Sequence, residues 1–178
     1  MLRLNLYGSL AVLATVSLIG VAFPAIDRAL PAGKSMSAGE RIPVGLTVSV
    51  AAPPHTVLDV TKTSPSLNRV VMAVHSVRIV VEATRYEGTL AGLSARLRRK
   101  IQSNPGYQAS QREHRTSTRT HVPGLQGSYS TPGRVGMYAV FEHDDVGVEI
   151  SLAGTETDLR RGNDALVTMV RSIRFEAT

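Results

Sequence analysis

Along most of the chain, apolar residues recur at every second position. In two stretches they recur at every third or fourth. From Arg41, "IPVGLTVSVAA" alternates and is rich in β-branched residues, and "RVVMAVHS" and "VRIVVEATRY" follow closely. Such runs predict strands with one buried face. The period then changes. In "EGTLAGLSARLRRKIQSNPG", Leu90, Leu93, Leu97 and Ile101 share one face of a helix. Thr89 is placed to cap its start and Pro105-Gly106 to end it. "YQASQREHRTSTRTHV" is polar and predicts an edge strand or exposed hairpin, while "GLQGSYSTPGR" predicts turns. "VGMYAVF" and "VGVEISL" predict strands, and "TETDLRRGNDALVTMVRSIRF" a second helix. Thr155 caps that helix, with Asp158 three residues on, as in a capping box. Leu159, Leu166, Met169, Val170 and Ile173 line its inner face. Gly162 weakens its middle by about 1 kcal/mol relative to Ala.

Between the two "VG" strands stands "EHDD", Glu142 to Asp145, four side chains of the kind that bind metals or move protons. Centring a turn on Asp144-Asp145 sets Phe141 opposite Val148, Ala139 opposite Ile150 and Met137 opposite Leu152. All six side chains then lie on one face. Asp and His suit a turn because their side chains bond the local backbone. Gly147, just after it, is expected at a bulge or a positive φ. A metal site would need further converging ligands, and His55, His75, His114 and His121 are scattered. The stretch therefore predicts a solvated hairpin tip.

Strands, helix, strands, helix, without a regular βαβ alternation, argue for an α+β domain: a mainly antiparallel sheet flanked by two helices, over residues 41–178. Residues 27–40, rich in Ala, Gly, Pro and Ser, are expected to be a linker. Within them "GKS", Gly33 to Ser35, is half of a phosphate-binding loop. Arg28 stands where the loop needs its first glycine. Residues 1–26 hold an uncharged run from Leu6 to Ile26. As a helix it would rise about 31 Å, the hydrocarbon thickness of a bilayer. It is expected to be a transmembrane anchor with a cytoplasmic N-terminus. The alternatives are a cleaved signal peptide and a buried soluble helix. Either membrane reading puts the domain outside the cytoplasm, anchored or secreted.

Charge adds one candidate site. Residues 78–134 carry ten basic and three acidic side chains, residues 135–178 four and eight, residues 1–77 six and three. The basic middle concentrates in "ARLRRKI", with Arg96, Arg98, Arg99 and Lys100, and "QREHRTSTRTH", with Arg112, Arg115 and Arg119. Read functionally, these seven form a patch for an acidic partner protein, an anionic lipid surface or an acidic polymer. Read structurally, they are a solvated helix face and an exposed strand. Four per cent aromatics is too few for a stacking platform and argues against nucleic acid. The chain has no cysteine, which excludes disulfides, thiolate metal sites and thiol nucleophiles. No nucleophile, zinc or phosphate-loop motif appears, and no cofactor is expected. A hydrolase triad assembled in space is a remote alternative. Tyr86, Tyr107, Tyr129 and Tyr138 either line a pocket or sit half-buried in a sheet.

The order of elements, with "LAGLSARLRRKI", "VPGLQGSYS", the "VGMYAVFEHDDVGVEISLAG" hairpin and the ending "VRSIRF", resembles the PsbP-like α/β/α sandwich domains of extracytoplasmic bacterial proteins. The resemblance covers about residues 40–178 and points to mycobacterial-type lipoproteins and their membrane-anchored relatives. The chain departs from them in lacking a lipobox cysteine and, in "AAPPHTVLDV", the Gly-Trp frequent near the first strands of relatives. The resemblance implies a non-enzymatic binding or accessory role in the cell envelope and transfers no functional residues. The alternative expectation is an exported carrier holding a lipid-like or other small ligand between sheet and helix.

Overall fold

The computed structural model describes residues 33–176. The predicted anchor, Leu6 to Ile26, lies outside the described residues. The α+β expectation for the domain holds. Among the described residues, eleven strands and two α-helices follow in the order β1 (Gly33–Ser35), β2 (Arg41–Gly45), β3 (Val48–Ala51), β4 (Thr56–Asp59), β5 (Arg69–Val74), β6 (Val77–Arg85), α1 (Leu90–Gln102), β7 (Gln108–Ser117), β8 (Pro123–Thr131), β9 (Arg134–His143), β10 (Val146–Gly154), α2 (Glu156–Arg171) and β11 (Arg174–Phe175). Eight strands form one antiparallel sheet in the order β1-β4-β5-β6-β10-β9-β8-β7, and β11-β3-β2 form a second.

Alternation along each strand divides the core into two layers. On β9, Ala139 and Phe141 join one apolar cluster, with Ile79, Ile150 and Leu152, under α2 and the small sheet. Tyr138 and Val140 join the other, with Leu93, Leu97 and Ile101 of α1. The helices thus cover opposite faces of the large sheet. Both begin as expected. The Thr89 hydroxyl accepts from the Gly92 amide at 3.1 Å, and the Thr155 hydroxyl from the Asp158 amide at 3.1 Å. The Asp158 carboxylate, however, accepts from the hydroxyls of Thr155 and Ser76 instead of reaching back to the cap's backbone.

The β9–β10 hairpin has the predicted register: Phe141 pairs with Val148, Ala139 with Ile150 and Met137 with Leu152. Asp144 and Asp145 take φ of 49° and 59° in the two-residue turn, so "EHDD" is a hairpin tip. Gly147 is neither a bulge nor at positive φ. It is a paired strand residue over which Leu93 packs, and an added Cβ would lie 3.0 Å from the Leu93 side chain.

Other expectations are corrected. The sheet already includes Gly33–Ser35, inside the stretch expected to be linker, because β1 pairs with β4. "IPVGLTVSVAA" is not one strand but the hairpin of β2 and β3, turning at Leu46-Thr47 with φ of 48° and 62°. The ending "SIRF" leaves the helix: α2 stops at Arg171, and Arg174–Phe175 pairs with β3. Most instructive is "PGLQGSYST", which sequence pattern assigned to turns and which forms the nine-residue strand β8. Its glycines are room for rings. Gly124 pairs with Phe141, Gly127 with Tyr138, and Gly136 on β9 with Tyr129. In each pair the aromatic ring lies across the glycine, within 2.5 Å of where a Cβ would stand.

Candidate functional site

The seven predicted basic residues do not form one patch. Arg96 and Lys100 lean over the sheet toward β10. The Arg96 Nε and Nη2 each lie 2.9 Å from Glu149 Oε1, and its guanidinium stacks 4.9 Å from the Tyr86 ring centre. Lys100 lies 3.5 Å from Glu149 Oε2 and bonds Glu82, which also pairs with Arg69 at 3.3 Å. Arg98 points to the other side of α1. It donates to Gln111 at 2.7 Å and lies 3.7 Å from Glu113. Arg119 lies beside α2, its amide bonded to the Arg171 carbonyl. Arg99, Arg112 and Arg115 are exposed and, among the described residues, make no carboxylate pair.

The acids that engage these bases were not singled out from sequence. Glu149 sits mid-strand with its side chain 7% exposed, and Glu82 with 25%. Alternation carried a usable signal: in "VRIVVEATRY" and "VGVEISL" both glutamates fall on the face opposite the valines and isoleucines of the main core. A carboxylate on a largely apolar strand calls for cations from whatever covers that face. A third acid, Glu113 of β7, accepts from Tyr138 Oη at 2.7 Å and from the Ser94 hydroxyl. Burial, and then the bond to Glu113, push the Tyr138 phenol up to about 12. Tyr129 is also raised to about 12, first by burial and then by Tyr107.

Beside α1 the β5–β6–β10 part of the sheet carries an open cleft of about 200 Å³. Val80 and Ser151 are its floor, Lys100 and Asn104 line it from the helix side, and Tyr107 and Tyr129 also line it. Those two rings stack at 6.4 Å and 16°. Asn104 spends its amide nitrogen on the Lys100 and Ile101 carbonyls, which leaves Oδ1 as an acceptor. Of the four tyrosines, this pair lines a cleft, Tyr138 is fully buried and Tyr86 is half-buried under Arg96. The space between sheet and α1 is filled by Leu93, Leu97, Ile101, Tyr138 and Val140. A second open groove, about 430 Å³, runs beside α2 along Ala51–Pro54, Ala165 and Met169.

No protein-family model matches the chain, and no curated protein matches it. Solved structures do match in shape. The cyanobacterial PsbP (CyanoP) of Synechocystis sp. PCC 6803 superposes with a TM-score of 0.53 at 14% identity, over 73% of this chain and 87% of that one. The Ran-binding protein Mog1p of Saccharomyces cerevisiae does so with 0.50 at 12%, over 78% and 96%. LpqN of Mycobacterium tuberculosis, described as involved in cell envelope biogenesis, superposes more loosely, at 0.44 and 13%, over 75% and 89%. Two layers of helix around one antiparallel sheet, in this order of elements, give the domain a PsbP-like fold.

Proposed function

We propose that the chain is a single-pass, membrane-anchored extracytoplasmic protein with a non-enzymatic binding or accessory role in the cell envelope. The anchor reading rests on the uncharged run from Leu6 to Ile26. The binding reading rests on one observation above all: the chemically able groups under α1 are engaged as struts. Glu149 is held by Arg96 and Lys100, and Glu113 by Tyr138 and Ser94. A general acid or base must instead present a proton-donating or proton-accepting atom to a substrate. A binding role also accords with the fold's use in a Ran-binding protein. The carrier alternative needs room between sheet and helix, where packed apolar side chains stand.

Cross-linking in intact cells, with a tag at the C-terminus, tests the proposal. The expected result is a full-length chain, a tag reachable from outside, and an envelope component joined to the domain. A shortened chain in the medium would replace the anchor with a cleaved signal. An inaccessible tag on a cytoplasmic chain would overturn the reading.

A further inference from the structure

The cleft beside α1 combines three features that together select a ligand chemistry. Its charges are interleaved. Glu82 stands between Arg69 and Lys100, and Glu149 between Lys100 and Arg96. A simple anion entering here meets two carboxylates, and a simple cation meets two bases, Arg69 and Lys100, with Arg96 bracing Glu149 from outside the cleft. A purely apolar ligand would strip water from these four charged groups without replacing it. Groups already fixed by their partners nonetheless retain unused donors and lone pairs. Arg69 has five N–H groups and Glu82 several acceptor positions. Holding them in place beforehand removes the ordering cost a ligand would otherwise bear.

The second feature is aromatic. Tyr107 is 36% exposed and is stacked on Tyr129, which is 8% exposed. A ring braced from behind offers its electron-rich face to C–H groups. The third is Asn104, which lines the cleft and whose Nδ2 is spent on backbone carbonyls, leaving Oδ1 as an acceptor. An uncharged polyhydroxyl ring matches all three. Its hydroxyls both donate and accept, and its C–H face stacks on a tyrosine. The volume, about 200 Å³, falls below the roughly 300 Å³ at which pockets for drug-sized ligands begin, so the cleft holds one ring and not a chain. We infer that the cleft beside α1 binds a single neutral sugar residue of an envelope glycan. The inference rests on the extracytoplasmic reading above, since that is where such polymers lie.

The test uses the full chain in a detergent without a sugar headgroup. The probe is the neutral oligosaccharide fraction released from the native envelope, observed by saturation-transfer NMR. The wild type is expected to saturate sugar-ring protons. Tyr107→Ala and Asn104→Ala should each weaken binding about tenfold. Tyr107→Phe should preserve it, because stacking needs the ring and not the hydroxyl. Arg112→Ala, on the exposed β7, should change nothing. Absence of transfer from the wild type, or transfer undiminished in Tyr107→Ala, would overturn the inference. So would binding of inorganic phosphate or an acidic oligosaccharide in place of the neutral fraction. A cross-linked envelope partner combined with no sugar binding removes only the sugar. A cytoplasmic chain removes the reading on which it rests.

Discussion

Arg96→Met is the substitution whose cost can be worked most directly from contacts. It removes the guanidinium from Glu149, a carboxylate 7% exposed in the middle of the sheet. Stripping a partner from a fully buried pair costs about 3–5 kcal/mol. Two features reduce that here. Lys100 remains 3.5 Å from the other carboxylate oxygen, and the Arg96 side chain is 38% exposed, so its own charge is already partly solvated. The loss of stacking on Tyr86 adds back about 0.5–1 kcal/mol. The expected cost is about 2 kcal/mol, or roughly 4–8 °C in Tm for a domain of this size. Glu149→Gln should cost less, about 1 kcal/mol, since it leaves half-exposed cations. The double variant Arg96→Met/Glu149→Gln should be more stable than the two single costs predict, because the buried charge has gone. Urea unfolding of the full chain in mild detergent, followed by circular dichroism, completes the cycle. Costs that add to within about 0.3 kcal/mol would refute the pairing as a source of stability.

Gly127→Ala should destabilise by about 2–3 kcal/mol, because its Cβ would fall 2.5 Å from a Tyr138 ring that Glu113 already holds in place. Gly162→Ala, whose Cβ finds only ordinary contact at 3.5 Å, should stabilise by about 1 kcal/mol; thermal melts compare the two. The folded chain keeps the Tyr129 and Tyr138 phenols protonated to about 12, whereas unfolding returns them to 10.0. Their contribution is therefore complete below pH 10 and is lost between 10 and about 12. In Tyr138→Phe the urea midpoint should fall less steeply across that window while starting lower at neutral pH. Glu at Arg99, Arg112 and Arg115 together should leave the melting curve within about 0.5 kcal/mol of wild type, and loss of a cross-linked partner would assign these three a binding role. Reversing Arg96 and Lys100 instead would break the polar struts to Glu82 and Glu149 and lower stability, so any loss of binding there would not separate from unfolding.

Periodicity carried the architecture far. Leu93, Leu97 and Ile101 named the buried face of α1, and the "EHDD" turn placed every pair of the β9–β10 hairpin. It failed where a local rule met a distant partner. Glycine and serine in "PGLQGSYST" are turn formers by composition, yet rings from β9 make them strand residues. The GKS strand has no alternation to find in three residues, and only β4 defines it. The candidate site was half legible. The bases of α1 were visible as a charge run, but their neutralisation by Glu82 and Glu149 depends on which strands lie beneath the helix. Asn104 carried no signal beyond being a polar residue near a helix end.

The insertion of β10 beside β6 has a consequence for the order of events after synthesis. These central strands are paired from Val146 with Arg85 to Ala153 with Arg78, and α1, β7, β8 and β9 all intervene in the chain. The small sheet is closed later still, by Arg174 and Phe175 on β3, and Arg41 donates to the Ser172 carbonyl at 3.1 Å. The large sheet cannot be completed before Gly154 is available, nor the small one before Phe175. Loop closure over such separations is slow, and early segments wait with unpaired edges. A chain threaded across a membrane from its N-terminus could form the local β4–β5–β6 and β7–β8–β9 hairpins as it emerges, but could join them only when β10 arrives between β6 and β9. Joining the two halves of the large sheet on the far side would follow β10, and closing the small sheet would follow β11.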